Sequence, residues 1–239
     1  MNFKSKVSQG YLHIVDSALL LWNNLQLLTY RVMPALLQII GFTILNLGCL
    51  LFANVAYNFI ITFFVVLCSA ALCYHVMQIM HRQNTSIRES FKKVYNKRRL
   101  VVTWAMIVAL AELALAALII YWPAFLLVNI LWIFASILVI PIIMANYGSP
   151  STIARLAYNL TMRAWVEIIT GLLILIAANI LITEPVILMS TLSPFIASYA
   201  IIAVTLLIGT LRTIFATVVY MRFYQEPIEE LEALMRSDI

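Results

Sequence analysis

The chain has 239 residues, of which 64% are hydrophobic and 10% are charged, whereas an ordinary soluble domain is about 25% charged. This apolar excess is too large for one buried core and excludes a soluble globular protein, and because a span takes about 20 residues, several spans would use the whole chain. The net charge of +5 indicates membrane topology and contact with anionic lipid headgroups, and argues against nucleic-acid binding.

The first predicted element is an amphipathic helix over about residues 12–30, lying in the inner membrane interface before the chain turns near Pro34. The alternative is a disordered tail up to about residue 16, which applies above all to the first ten residues. Asp16 interrupts the apolar stretch and makes this segment a poor export signal, so we expect it to be retained. The apolar residues that define the helix face recur every three or four positions: Leu12, Val15, Leu19 and Trp22.

Six apolar segments follow, and they predict an all-α polytopic membrane bundle that forms a single domain over residues 1–239. The breaks after the first and third segments are so short that each pair must form an antiparallel hairpin. The predicted spans are about 35–53, 56–80, 100–121, 123–145, 165–183 and 195–221.

The distribution of cations predicts the orientation of these spans. With a cytoplasmic N-terminus, fourteen of the fifteen Lys and Arg residues fall on the cytoplasmic side, and the fifteenth, Arg212, lies inside the sixth span. Under the positive-inside rule, this bias places both termini in the cytoplasm. We therefore expect a protein integral to the bacterial inner membrane.

The connection after the second span predicts an interfacial helix over residues 86–99. Ser86 followed three residues later by Glu89 forms a capping-box pattern at its start. Its apolar residues form one stripe, which we expect to face an apolar surface while the basic residues face water and phosphate. The stripe consists of Ile87, Phe91, Val94 and Tyr95.

Two further interfacial helices are predicted, over residues 150–163 and 227–236. The first has Ser149 as its cap and Pro150 at its first position, with one apolar face made of Ile153, Ala157, Leu160 and Ala164. The basic residues of the first two connections are candidate ligands for lipid headgroups: Arg88, Lys92, Lys93, Lys97, Arg98, Arg99, Arg155 and Arg163.

Several architectural features recur along the predicted spans and their connections. They are the Val139-Ile140-Pro141 step, the Gly148-x-Pro150 turn, the helix that closes on Arg163 and Trp165, and the Tyr220-x-Arg222 exit of the last span. In these features residues 11 to 226 resemble an uncharacterised family of bacterial six-span integral membrane proteins. Similar patterns occur in the membrane part of glycerophosphodiester phosphodiesterases, whose soluble catalytic domain has no counterpart in this sequence. The resemblance implies a fold and a topology, and no activity.

The sequence lacks the residue patterns of common catalytic and metal sites. Its three histidines are dispersed, and no H-E-x-x-H, G-x-S-x-G or paired intramembrane aspartates occur. Cys49, Cys68 and Cys73 form no C-x-x-C pair and are interpreted as small buried hydrophobes. We therefore predict a protein that is not an enzyme and that has no metal and no cofactor.

Two charges lie deep within the predicted spans, and such residues normally face the bundle interior or a wet cavity. Glu112 lies about 18 Å from Leu100 along its helix, and Arg212 lies about 13 Å from Met221. We hypothesise that the two pair across spans three and six. The pair would be a structural clamp, which we favour, or a proton- or substrate-linked pair in a cavity with Asn46, Asn129 or Asn179. Alternatively, Arg212 snorkels to the interface and Glu112 is protonated.

Two function classes remain open on the sequence alone. The favoured one is a non-enzymatic scaffold, assembly factor or accessory subunit, because catalytic patterns are missing and the amphipathic helices offer docking surfaces. The other is a small transporter or lipid-handling permease, which the repeat-like hairpins and the deep charges favour. The expected partners are a bilayer with anionic lipids and either another membrane protein or a second copy of the chain.

Overall fold

The computed structural model describes residues 3–46, 51–121, 125–145, 148–189 and 193–224. Within these ranges the chain is helical throughout, apart from short connections. The elements are α1 (Phe3–Asn23), a 3-10 segment (Leu25–Arg31), α2 (Val32–Asn46), α3 (Leu51–Met80), α4 (Ile87–Asn96), α5 (Arg98–Tyr121), α6 (Phe125–Ser136), α7 (Val139–Ala145), α8 (Pro150–Arg163), α9 (Trp165–Met189) and α10 (Pro194–Tyr224).

The all-helical architecture is confirmed. Among the described residues, four helical stretches are long and apolar enough to cross a membrane: Tyr57–Met80, Val128–Ala145, Trp165–Leu188 and Ile196–Phe223. Helix α5 matches the third predicted span, and α2 overlaps the first over residues 35–46. The break predicted between residues 53 and 56 is wrong, because α3 is helical from Leu51 through these positions. The total of six spans remains a prediction. The tail helix predicted over 227–236 lies outside the described residues.

The fourth predicted span is interrupted, whereas the sequence predicts one continuous helix over 123–145. A turn at residues 137–138 separates α6 from α7. Pro141 explains the break, because it has no N–H to donate to the Ile137 carbonyl and its ring would clash with that carbonyl in a continuous helix. The fold thereby has an irregular segment of backbone inside the bundle.

The N-terminal helix begins at Phe3, earlier than predicted, and it packs by a face of small and polar residues. Gly10, His13 and Ser17 are buried, while Leu12 and Trp22 from the predicted apolar stripe are exposed. The stripe therefore faces away from the protein, where a bilayer would lie. The expected helix over 12–30 is also divided, since it ends at Asn23 and continues as the 3-10 segment.

Helix α1 lies close against the start of α9 and is tied to the end of α10. A Cβ atom at Gly10 would meet the Glu167 carbonyl oxygen at 2.8 Å, so the backbones approach closely there. Glu167 itself, in the first turn of α9, is 1% exposed. Asp16 forms an ion pair with Arg222 of α10.

The predicted capping box of α4 is confirmed, since Ser86 and Glu89 exchange both hydrogen bonds. The backbone N–H of Ser86 donates to the Glu89 carboxylate at 2.8 Å. This hydrogen bond, followed by those from the Ser86 and Thr85 hydroxyls, lowers the pKa of Glu89. The side of α4 that packs on the protein is Ser90 and Val94. Most of the predicted apolar stripe, by contrast, is exposed: Ile87, Phe91 and Tyr95.

Helix α8 agrees with its prediction. Ser149 caps it by accepting a hydrogen bond from the Thr152 N–H, and Pro150 occupies the first turn. The four residues of its predicted apolar face are all buried: Ile153, Ala157, Leu160 and Ala164.

We predict that Gly171→Ala destabilises the contact between α9 and α10. A Cβ atom at Gly171 would lie 2.1 Å from Cζ of Phe215, whose side chain is fully buried and cannot swing aside. Overpacking of this kind lowers the free energy of unfolding by about 1–3 kcal/mol. Gly148→Ala is the control, because the nearest atom to its new Cβ lies 3.7 Å away. Equal melting temperatures of the two variants in detergent would contradict the close contact between Gly171 and Phe215.

We also predict that acid weakens the packing of α1 through His13. Burial, followed by the nearby Arg222, lowers the pKa of His13 from 6.5 to about 4. Between these two values the unfolded chain binds more protons than the folded one, so stability falls as pH drops through that window and is retained above it. The His13→Gln variant should show a flatter pH dependence of its melting temperature, and an unchanged slope would refute the role of His13.

Candidate functional site: a charged intramembrane cavity

A cavity of about 380 Å³ lies within the bundle, bounded by α2, α3, α5, α6, α7, α9 and α10 and by the end of the 3-10 segment. The break between α6 and α7 forms part of its wall, as discontinuous helices do where they line a binding site. Its polar lining residues are Arg31, Gln38, Thr62, Ser69, Glu112, Ser136, Asn179, Thr205, Arg212 and Thr213. We call this space the charged cavity.

Arg31 is the most buried charge of the charged cavity. Its side chain is 5% exposed, and its Nη2 donates to the Gly209 carbonyl and to the Thr213 hydroxyl, both at 2.9 Å. Its Nε has no hydrogen-bond partner among the described residues. The guanidinium is therefore anchored on α10 while one of its donors stays unused.

A buried polar cluster holds the 3-10 segment that carries Arg31. The Tyr30 hydroxyl lies 2.7 Å from Nδ1 of His75 on α3, and the Ser90 hydroxyl of α4 lies 3.5 Å from the same nitrogen. The Tyr30 ring also lies 5.6 Å from the Phe91 ring, between centroids. Since Tyr30 and Arg31 are adjacent, fixing the tyrosine directs the arginine toward α10.

Glu112 faces the charged cavity from α5. Its Oε2 accepts a hydrogen bond from the Thr62 hydroxyl of α3 at 2.8 Å. More than a third of the surface of Glu112 is accessible, and the residue lines the charged cavity. The carboxylate is therefore fixed in direction and open to a ligand or water.

Arg212 enters the same space from α10, one helical turn after Gly209. Its side chain is also accessible, and it makes no hydrogen bond within the described part of the chain. It lies close enough to both Glu112 and Arg31 for electrostatic interaction with each. Its side chain lines the charged cavity, and snorkelling to the interface stays an alternative hypothesis.

The structure brings the hypothesised partners Glu112 and Arg212 to one cavity without joining them. No ion pair within 4 Å links them, since the carboxylate binds Thr62 instead. Asn179, one of the three amides named with them, also lines the cavity. Asn129 is not part of the lining, and the side chain of Asn46 lies outside the described residues.

The charged cavity carries two guanidiniums and one carboxylate, a net charge of +1 if all three are ionised. Arginine donors suit planar recognition of carboxylates and phosphates. One guanidinium has an unused buried donor and the other is unengaged, so the arrangement favours an anion that supplies acceptor oxygens to both.

Seven of the eight predicted headgroup ligands are at least partly accessible, and their role at lipid headgroups stays a prediction. Lys93 is half-buried, with Nζ 5.6 Å from the centroid of the Tyr74 ring. Six of the others are exposed: Arg88, Lys92, Arg98, Arg99, Arg155 and Arg163.

Lys97 is the exception and corrects the prediction. It is 4% exposed, and its Nζ donates to the carbonyls of Ile143 and Met144 at 2.7 and 2.9 Å. These carbonyls belong to the last turn of α7, where a cation is favourable. Burial lowers the pKa of Lys97 to about 8. Lys97 therefore closes a helix end instead of facing lipid phosphate.

Comparisons with family models, with curated proteins and with solved structures find no match to this chain. The resemblance to the six-span family therefore stays a prediction, and the site has to be interpreted from its own geometry.

Arg31 is the site residue that sequence reasoning missed, because the charge-bias argument assigned it to the cytoplasmic side. A signal was available: Arg31 lies inside the apolar helical stretch Leu25–Gly41. A single cation within such a stretch requires the same explanation as Glu112 or Arg212.

We predict that Glu112 is coupled more strongly to Thr62 than to Arg212. Double-mutant cycles with Thr62→Val, Glu112→Met and Arg212→Met, measured as unfolding free energies in detergent, should give about 1 kcal/mol for the first pair and less than about 0.5 kcal/mol for the second. The reason is that only the first pair is in contact. A larger coupling between Glu112 and Arg212 would show that the ion pair forms after all.

Proposed function

We propose that this protein is a small permease of the bacterial inner membrane that binds an anion in the charged cavity. The single observation that carries the proposal is the Arg212 guanidinium, which makes no hydrogen bond within the described part of the chain and lines the cavity beside the anchored Arg31. Charges in a membrane interior are expensive and mark substrate or ion pathways. An anion that bridges Arg31 and Arg212 would offset the cost of burying both positive charges. The negative charge of Glu112 would limit the affinity for that anion.

The proposal includes six spans, with both termini in the cytoplasm. The exposed basic residues on α4 and α8 support this orientation, since a cytoplasmic leaflet presents anionic headgroups to them. In this arrangement the apolar faces of α1 and α4 that point away from the protein lie against acyl chains. No chemical conversion of the anion is part of the proposal.

A scaffold or accessory-subunit role is the second candidate, and one observation favours it. The α4 residues Ile87, Phe91 and Tyr95 form an exposed apolar stripe on a helix outside the four spans. Such a stripe suits a partner helix as well as lipid. Purification in mild detergent separates the candidates, because a scaffold should retain a stoichiometric protein partner.

We expect inorganic phosphate to bind the protein in nanodiscs of zwitterionic lipid, measured as a rise in melting temperature at constant ionic strength. Arg212→Gln should weaken binding about tenfold or more, as loss of a hydrogen bond to a charged group does. Glu112→Gln should strengthen it, because removing the carboxylate raises the net charge of the cavity from +1 to +2.

Arg99→Gln is the matched control, since Arg99 is exposed and outside the charged cavity. Efflux of radiolabelled phosphate from proteoliposomes should follow the same order of variants. Phosphate binding that is absent, or equal in all four proteins, would overturn the anion-permease proposal.

A further inference from the structure

A second cavity shares a wall with the charged cavity. It has a volume of about 520 Å³ and lies between α5, α6, α7 and α8. Its lining is almost entirely apolar, from Leu100 and Ile107 of α5 to Leu131 and Val139 of the interrupted span. We call it the apolar groove.

Three residues line both spaces: Trp104, Trp132 and Ser136. The two indole rings stack with their centroids 5.9 Å apart and an interplanar angle of 29°. This Trp104–Trp132 pair forms the boundary between a space that contains three charges and a space that contains none. A molecule extending past it would have one charged end and one apolar end.

We propose that the ligand is an anionic amphiphile, whose acid group binds Arg31 and Arg212 in the charged cavity and whose alkyl chain lies in the apolar groove past the Trp104–Trp132 pair. This inference rests on the proposed function and narrows its substrate class. A short hydrophilic anion would leave the groove without an occupant, whereas an alkyl chain matches its lining.

The charges of the two spaces support this orientation of the ligand. Within the described residues, the cations that face the charged cavity are Arg31 and Arg212, opposed by Glu112 alone. The groove offers no ionisable group other than the Tyr158 hydroxyl. The acid group of the ligand therefore finds cationic partners only in the charged cavity, and its alkyl chain finds an apolar lining only in the apolar groove.

Helix α8 closes the far side of the groove without filling it. Ile153 and Ala157 are buried and line it, while Ala154 and Met162 line it with accessible side chains. The small Ala154 leaves room where a larger residue would occupy the groove. This position gives a substitution that changes the groove without touching the charged cavity.

The test compares methyl phosphate with hexyl phosphate on the protein in zwitterionic nanodiscs, with empty nanodiscs as the blank for partitioning. Each methylene buried in the groove should raise the affinity about fourfold. Ala154→Trp should remove most of that gain while leaving methyl phosphate binding unchanged. Asn159→Trp, an exposed position on α8 that does not line the groove, should keep the gain.

A chain-length gain that Ala154→Trp abolishes and Asn159→Trp preserves supports the amphiphile. Equal affinity for the two phosphates overturns it and leaves the anion-permease proposal standing, whereas no binding of either phosphate overturns both. Adding phosphatidic acid to the nanodiscs identifies the source of the ligand. If phosphatidic acid competes with hexyl phosphate, the ligand is a membrane lipid. If hexyl phosphate binds equally well with and without phosphatidic acid, the ligand is a free amphiphile.

Discussion

The burial of Arg31 is the constraint on which the arrangement of the bundle depends. A guanidinium that is 5% exposed needs acceptors, and the structure supplies them from the backbone and a threonine of α10. To reach them, the 3-10 segment must run against α10, and the Tyr30–His75–Ser90 cluster holds it there from α3 and α4. One buried cation thus connects the end of the 3-10 segment to α10 and forms part of one wall of the charged cavity.

Close approach of helix backbones packs other parts of the bundle around the contact between Arg31 and α10. Gly171 admits the Phe215 ring between α9 and α10, and Gly10 lets α1 lie on the start of α9. On the opposite side, a turn before Pro141 separates α6 from α7, and residues of both helices line the charged cavity. The charged cavity is thus bordered by an interrupted helix as well as by closely packed ones.

Sequence reasoning predicted local features well wherever a short pattern determines the structure. The capping box at Ser86 and Glu89, the Ser149 cap and the buried face of α8 are confirmed because they depend on residues within one or two turns. It was wrong about Lys97, whose neighbours Lys92 and Arg98 are exposed as predicted. Nothing in the local charge pattern reveals that one lysine of the run would close the end of α7, because α7 is distant along the chain.

By itself, the sequence determined that this chain is a helical membrane protein and that Glu112 and Arg212 lie inside its apolar segments, because composition and hydropathy depend only on the order of residues. Only the tertiary structure decided that the carboxylate binds Thr62, that Arg31 joins Arg212 in the same cavity, and that an apolar groove adjoins it. These features depend on which helix faces meet across the bundle, and the rotation of each helix is set by packing contacts distant in sequence.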